Sequence, residues 1–322
     1  MTEFDEESFD IVPHDVCEVL TSETGTSVET FSADREMSWH LHEFGIQQLR
    51  DKFGVSGKGA KIAVIDTGVD ASHPQFQGRV VAHDCTGEGA GDVDGHGTHC
   101  CGISMAVAPG AEIHSFKVFD VSGRAVHRNI MVALEKVKAM GFHVVNMSLG
   151  SGEPSQAMRM ALLELNACGT LICCAAGNDG GHDKPDAPRF GTISFPAGFN
   201  STLAVGSVDK KRVRSPYSSS GPKISIMAPG QGVWSSWTGG GMACLSGTSM
   251  ASPFMAGVLA LLHEACSKRA LKPLNLSEVL YAAALSCNDM EAPGFDFFTG
   301  YGCIHPQGFV ERAIQIATRR TI

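Results

Sequence analysis

Lys61-Ile62-Ala63-Val64-Ile65-Asp66-Thr67-Gly68 decides the fold. The apolar run is nearly continuous, which suits a central parallel strand buried on both faces. It stops at a carboxylate and a glycine, so Asp66 stands at the strand's carboxyl end, where open α/β sheets place their chemistry. The same grammar repeats downstream. Apolar runs at Ala111–Val118, His143–Met147, Thr170–Ala175, Leu203–Ser207 and Ile224–Met227 read as strands. Arg128–Met140 carries helical spacing and stops at Gly141, and Ser155–Cys168 is a second helix closed by Gly169. Ser38–Phe53 begins the fold with a short helix. Alternating strands and helices predict a three-layer, doubly wound, mostly parallel α/β sheet with right-handed crossovers.

Composition sets bounds on function. The chain has 322 residues, 43% hydrophobic, with 37 Gly, enough for one large α/β domain. Residues 1–36 hold eleven acidic residues against Arg35, a net of −10, so the other residues sum to +1 of the total −9. No basic patch points to nucleic acid, and no long uninterrupted apolar run points to a membrane. Residues 1–36 show neither helical nor strand periodicity and read as a flexible acidic extension ahead of a domain over 37–322. Met1–Asp10 lacks a basic n-region and an apolar h-region, and the eleven scattered cysteines do not form a disulfide framework. Together these predict a cytoplasmic protein with reduced thiols.

Two further stretches carry chemistry. In Gly95-His96-Gly97-Thr98-His99-Cys100, His96 lies between glycines at the start of a small-residue helix. In Ser246-Gly247-Thr248-Ser249-Met250-Ala251-Ser252-Pro253, a turn runs into a long apolar helix, with Ser249 at its positive end. Pro253 is expected in the first turns, where a missing N–H is harmless. A serine hydroxyl needs a base, a neutral histidine serves, and a carboxylate fixes its tautomer. Asp66, His96 and Ser249 supply these in order. Asn178, after a strand, is a candidate amide donor to an oxyanion, together with the Ser249 backbone N–H.

Three blocks then resemble the subtilisin-like serine proteases, the subtilases: Val64-Ile65-Asp66-Thr67-Gly68-Val69-Asp70 with Ser72-His73-Pro74, His96-Gly97-Thr98-His99-Cys100, and Gly247 to Pro253. The resemblance covers about residues 38–315 and has proteinase K-like features around His96 and Cys100. It implies that Asp66 orients His96, His96 is general base and acid, Ser249 attacks, and Asn178 holds the oxyanion. It implies a cleft in which an extended peptide lies between Gly123-Arg124-Ala125 and Ser148-Leu149-Gly150, with Gly177, Asp179 and Ser194 lining the pocket for the residue before the scissile bond. Asp179 and Asp183 would favour basic residues there, although Asp179 also fits a turn residue pointing away. Arg124 would favour acidic groups further along. Phe195-Pro196 resembles a cis-proline turn, and Cys100 a free thiol beneath the histidine.

Departures from the family pattern sharpen the expectation. Only Ser104-Met105-Ala106 stands where secreted subtilisins carry a calcium loop, and Ser225 replaces the aspartate that holds calcium in proteinase K. No metal or other cofactor, and no strong calcium site, is therefore expected, with Asp92 and Asp94 left as a weak alternative pair. Phe254 replaces a common histidine, which predicts altered packing and intact chemistry. Residues 1–36 are too short for the family's usual prodomain. Either they are a plain tail, or part of residues 11–36 fills the cleft as an intramolecular inhibitor. The expected function is a serine endopeptidase acting on peptide or protein substrates through an acyl-enzyme. Transpeptidation by the same intermediate and a silent binding pseudoprotease are the alternatives.

Overall fold

The computed structural model describes residues 35–181 and 191–320, together with the backbone of 8–11 and 15–20. In chain order the elements begin with β1 (Ser8–Ile11), β2 (Asp15–Leu20), α1 (Trp39–His42), α2 (Ile46–Phe53), β3 (Lys61–Asp66) and β4 (Val80–Asp84). Then come α3 (His96–Val107), β5 (Glu112–Lys117), β6 (Ala125–Val126), α4 (His127–Met140), β7 (Val144–Met147) and β8 (Leu149–Gly150). They continue through α5 (Gln156–Ala167), β9 (Leu171–Ala175), β10 (Leu203–Val208), β11 (Ile224–Pro229), β12 (Val233–Trp237) and β13 (Gly241–Ser246). The last are α6 (Thr248–Ser267), α7 (Leu276–Ala284) and α8 (Pro306–Arg319).

The central sheet has seven strands in the order β11-β10-β9-β7-β3-β5-β4, every pair parallel. Because side chains alternate along a strand, β3 feeds two cores. Ile62 and Val64 join the core under α3, α6, α7 and α8. Ala63 and Ile65 join the one under α4 and α5. This is the three-layer architecture the sequence predicts. From β3 the chain builds outward to β4 and β5 on one side, then to β7, β9, β10 and β11 on the other. The carboxyl ends of β3 and β7 therefore flank the switch point, where the sheet leaves a crevice.

Helix α6 is long and apolar enough by composition to cross a membrane, but 94% of its apolar window is buried in this core. Phe254 on this helix is fully buried and packs edge-on against Phe44, with ring centroids 5.5 Å apart. At the far end of the same helix, the Glu264 carboxylate accepts from three consecutive backbone N–H groups, of Ser56, Gly57 and Lys58, at 2.7–2.8 Å. Lys268 pairs with its other oxygen at 2.8 Å. This pins the loop that enters β3.

The N-terminal stretch departs from its expected lack of strands. β2 pairs antiparallel with β13, from Asp15 opposite Ser246 to Leu20 opposite Met242. β1 lies between β6 and β8, antiparallel to both. Its four residues read as tail in isolation, because the groove, and not local periodicity, supplies their hydrogen-bond partners. The hairpin β12–β13 and the parallel edge strand β4 also lie outside the strands expected from sequence. Val80-Val81-Ala82-His83-Asp84 is buried only at Val80, so it lacks the apolar run of a central strand.

Burial pushes the Glu264 carboxyl up, but Lys268 and the three N–H donors outweigh it and hold the group below the usual glutamate range. Its stabilising contribution is therefore present above that range and lost as pH falls through the folded-state value. Glu264→Gln should cost about 1.5–3 kcal/mol by denaturant unfolding, and the gap to wild type should narrow on acidification. A gap that is absent at neutral pH, or widens in acid, contradicts this role.

Candidate active site

Asp66 is fully buried at the end of β3, and His96 is fully buried as the first residue of α3. Their side chains meet at 2.7 Å, Nδ1 to Oδ1. Two features force this approach. Gly97 lets the helix start reach the β3 turn, where any Cβ would sit 2.2 Å from the Gly68 carbonyl oxygen. Asp92 then ties the two ends together: it accepts from the Thr67 hydroxyl, from the N–H groups of Asp94, Gly95 and Thr98, and from the Thr98 hydroxyl. The Asp94 carboxylate accepts from the His96 N–H at 3.0 Å. Both carboxylates of the alternative metal pair thus organise the histidine turn.

Ser249 is the second residue of α6, directly after the β13 turn. Pro253 is the sixth, in the second turn, where its missing N–H is no longer harmless. Its missing N–H would have bonded the Ser249 carbonyl, four residues back. That carbonyl is instead met by the Ser148 hydroxyl at 3.0 Å and the Cys100 thiol at 3.5 Å. Cys100 also lies 3.9 Å from His96 Nδ1, so the thiol touches both the histidine and the serine backbone. Ser148 is held in turn by Asn146, which accepts from Ser252 at 2.6 Å. The structure thus brings Asp66, His96 and the Ser249 backbone to one point.

Asn178 follows β9 across the crevice. Its side-chain oxygen accepts from the N–H and hydroxyl of Thr248, at 3.0 and 2.9 Å. Anchoring the oxygen on the residue before Ser249 sets where the amide's donor end points, as an oxyanion donor requires. Gly177, at φ +110°, is needed here, because a Cβ would press on the hydroxyls of Ser219 and Ser194 at 2.8 and 3.2 Å. Ser194 bonds the Ala176 carbonyl, and the Asp179 N–H donates to Ser219, while the Asp179 side chain is on the exposed surface. The Phe195–Pro196 bond is cis. Asp183 lies outside the described residues. Thr248, Asn146, Ser252 and Ser219 were not singled out from sequence; they are ordinary small polar residues whose value appears only when they converge.

Gly123, Arg124 and Ala125 stand on one side, with Ala125 in β6, and Ser148, Leu149 and Gly150 on the other, with Leu149 and Gly150 in β8. Between them lies β1, with Phe9 opposite Ala125, Asp10 opposite Gly150 and Ile11 opposite Leu149. The residues that pair with these two segments are therefore 8–11, whereas part of 11–36 was expected there.

Where a calcium loop was expected to be missing, Ser104-Met105-Ala106 runs as unbroken helix α3. The Ser225 hydroxyl accepts from the Ala204 N–H and donates to the Lys223 carbonyl. Among the described residues, the one clustered set of candidate ligand atoms belongs to Asp66, His96 and Cys100, within 4.8 Å of one another. The ten described cysteines are free thiols.

Fold and constellation define a class: a parallel α/β protein with a Ser-His-Asp arrangement at the carboxyl edge of its sheet. The chain belongs to the subtilase family, whose model matches residues 57–302. It is 38% identical over 221 residues to M-protease of Shouchella clausii (strain KSM-K16), covering 66% of this chain and 56% of that protein. It is equally identical to Subtilisin Savinase of Lederbergia lenta, covering 78% of that protein. Subtilisin E of Bacillus subtilis (strain 168) is 34% identical over 234 residues, 60% of its length. The chain thus spans little more than half the length of two of these three relatives.

Burial works against protonating His96, but the Asp66 carboxylate dominates and raises its pKa above the ordinary histidine value. Activity needs the neutral ring, so kcat/KM should rise with pH through one ionisation above about 6.5. Asp66→Asn should move that ionisation down and lower kcat by about 10⁴-fold. An unmoved profile contradicts the assignment. A stoichiometric mercurial should abolish activity through Cys100 and spare Cys100→Ala; full activity of the mercurial-treated wild type excludes a thiol at the site.

Proposed function

We propose that the chain is a serine endopeptidase that binds substrate as an extended strand, and that its own N-terminal segment holds the same place as an intramolecular inhibitor. One observation supports both halves: β1 pairs with the two rims of the cleft at once. A strand held by backbone hydrogen bonds on both sides supports an extended peptide as the occupant, with little demand on side-chain identity. Ile11 ends opposite Leu149, and Asp15 begins opposite Ser246. The two N-terminal strands therefore approach Ser249 from its two sides, along the line a substrate would follow.

In this reading a substrate carbonyl sits at Ser249 Oγ. His96 takes the hydroxyl proton as the oxygen attacks, with its ring turned by Asp66 through Nδ1. Charge on the carbonyl oxygen falls between the Asn178 amide and the Ser249 N–H. His96 returns the proton to the leaving amine, and water then repeats the cycle on the acyl-enzyme. Losing the Asn178 donor would cost about 10²–10³ in kcat. Ser194 and Ser219 around Gly177 give the adjoining pocket a small, polar lining. Buried thiols such as Cys173 and Cys174, pushed above their ordinary pKa by burial, support a reducing compartment. The unbroken end of α3 supports an enzyme without a strong calcium site.

A chain lacking residues 1–20 should be labelled at Ser249 by a fluorophosphonate and should cleave small peptides at least ten times faster than the full chain. Ser249→Ala in the same truncation should abolish both. Absent labelling sinks the protease reading. Labelling with equal peptide rates in full and truncated chains sinks the inhibitor alone.

A further inference from the structure

At the end of α3 remote from His96 lies a cavity of about 430 Å³. Among the described residues its wall includes Arg50, Arg79, His42, Gln47, Gln75 and Ser38 and holds no carboxylate. Its size is that of a small-ligand pocket. Two guanidinium groups facing one cavity without an acid between them is an uncommon arrangement, because a partly buried cation ordinarily has a partner.

The two arginines are only partly used by the protein. Arg50, in the last turn of α2, donates from Nη1 to the Ala106 carbonyl at 3.3 Å and from Nη2 to Gln47 at 2.7 Å. Its Nε is buried with no acceptor among the described residues. Arg79 donates from Nη1 to the Pro109 carbonyl, and its Nη2 faces the Met105 sulfur at 3.6 Å, a weak acceptor. Each guanidinium is a planar fork of several donors suited to bidentate oxyanions. Of the acids near this end, Asp51 accepts from Gln47 and lends Arg50 some charge support, while Glu36 pairs with Lys210 and Glu43 lies 3.9 Å from Arg35. Burial works against the charge of Arg50, a cost that an anion in the cavity would relieve.

We infer that this cavity binds a small oxyanion-bearing molecule, its phosphate or carboxylate group bridging Arg50 and Arg79. The site is separate from the cleft. Its donors also grip Ala106 and Pro109, so binding stiffens the tail of the histidine helix and is read first as stability.

The test uses the full chain, titrated with inorganic phosphate and, separately, with citrate, at ionic strength held constant with sodium chloride. Melting temperature and calorimetric heat are followed. Wild type should show a saturable rise and a saturable heat with at least one of the two. Arg79→Gln should weaken binding by tenfold or more, the loss expected for a charge-assisted fork. Arg79 is exposed and outside the catalytic machinery, so unchanged peptide hydrolysis by this variant confirms that it is folded. Arg50→Gln should weaken binding as well. Saturation by phosphate alone identifies a phosphoryl ligand, and by citrate alone a carboxylate one. A non-saturating rise that is equal in wild type and Arg79→Gln is general salt exclusion and overturns the site, as does the absence of any saturable heat.

Discussion

A hydrogen bond that cannot form organises this site. Pro253 has no N–H to give the Ser249 carbonyl, and a buried carbonyl left alone costs about 1–3 kcal/mol. The structure answers with Ser148 from the cleft rim and Cys100 from the histidine helix. One acceptor therefore ties together the element that carries the serine, the element that carries the histidine and the segment between β7 and β8. A helix with an ordinary residue at 253 would satisfy its own carbonyl, and those three elements would lose their common anchor.

The sheet makes that convergence possible. Parallel strands deliver their carboxyl ends to one edge, and the reversal of strand order around β3 and β7 opens a crevice there. Asp66 ends β3, Ser148 follows β7, and Asn178 follows β9, so three separate loops reach the same place with no long excursion. The helices arrive from the opposite sense. α3 and α6 both begin at this edge, so the positive ends of their dipoles face the crevice, where the proposed reaction would develop negative charge. Electrostatics and topology thus place the anion site together.

The sequence discloses the parts of this site that depend on local chemistry. Asp66 closes an apolar run, His96 sits between glycines, and Ser249 follows a glycine turn into an apolar helix; each is legible because the backbone demand is written in neighbouring residues. The central strands and the main helices are legible for the same reason. What converges only in three dimensions is not. Thr248 fixing Asn178, Asn146 fixing Ser148, and Ser219 behind Gly177 are small polar residues of a kind found in any loop. The helix begins at Thr248, tight against the strand, so Pro253 falls in its second turn, where the missing N–H leaves a carbonyl to be met from outside the helix. β4 has too little apolar character to announce itself, since it forms the sheet edge.

The N-terminal strands are the sharpest case, and tethering explains why they need no signature. Four residues in β1 and six in β2 could not form stable strands alone. In the proposed inhibitor reading, being part of the same chain makes their pairing intramolecular, and the resulting effective concentration would let a segment of weak intrinsic affinity compete with a free peptide. Such a segment needs neither strong strand propensity nor a tight side-chain fit, only backbone that can pair on both sides. Selection for weak, reversible pairing would remove the very periodicity by which a strand is recognised, so an acidic stretch that reads as disordered is what a releasable occupant of this cleft should look like.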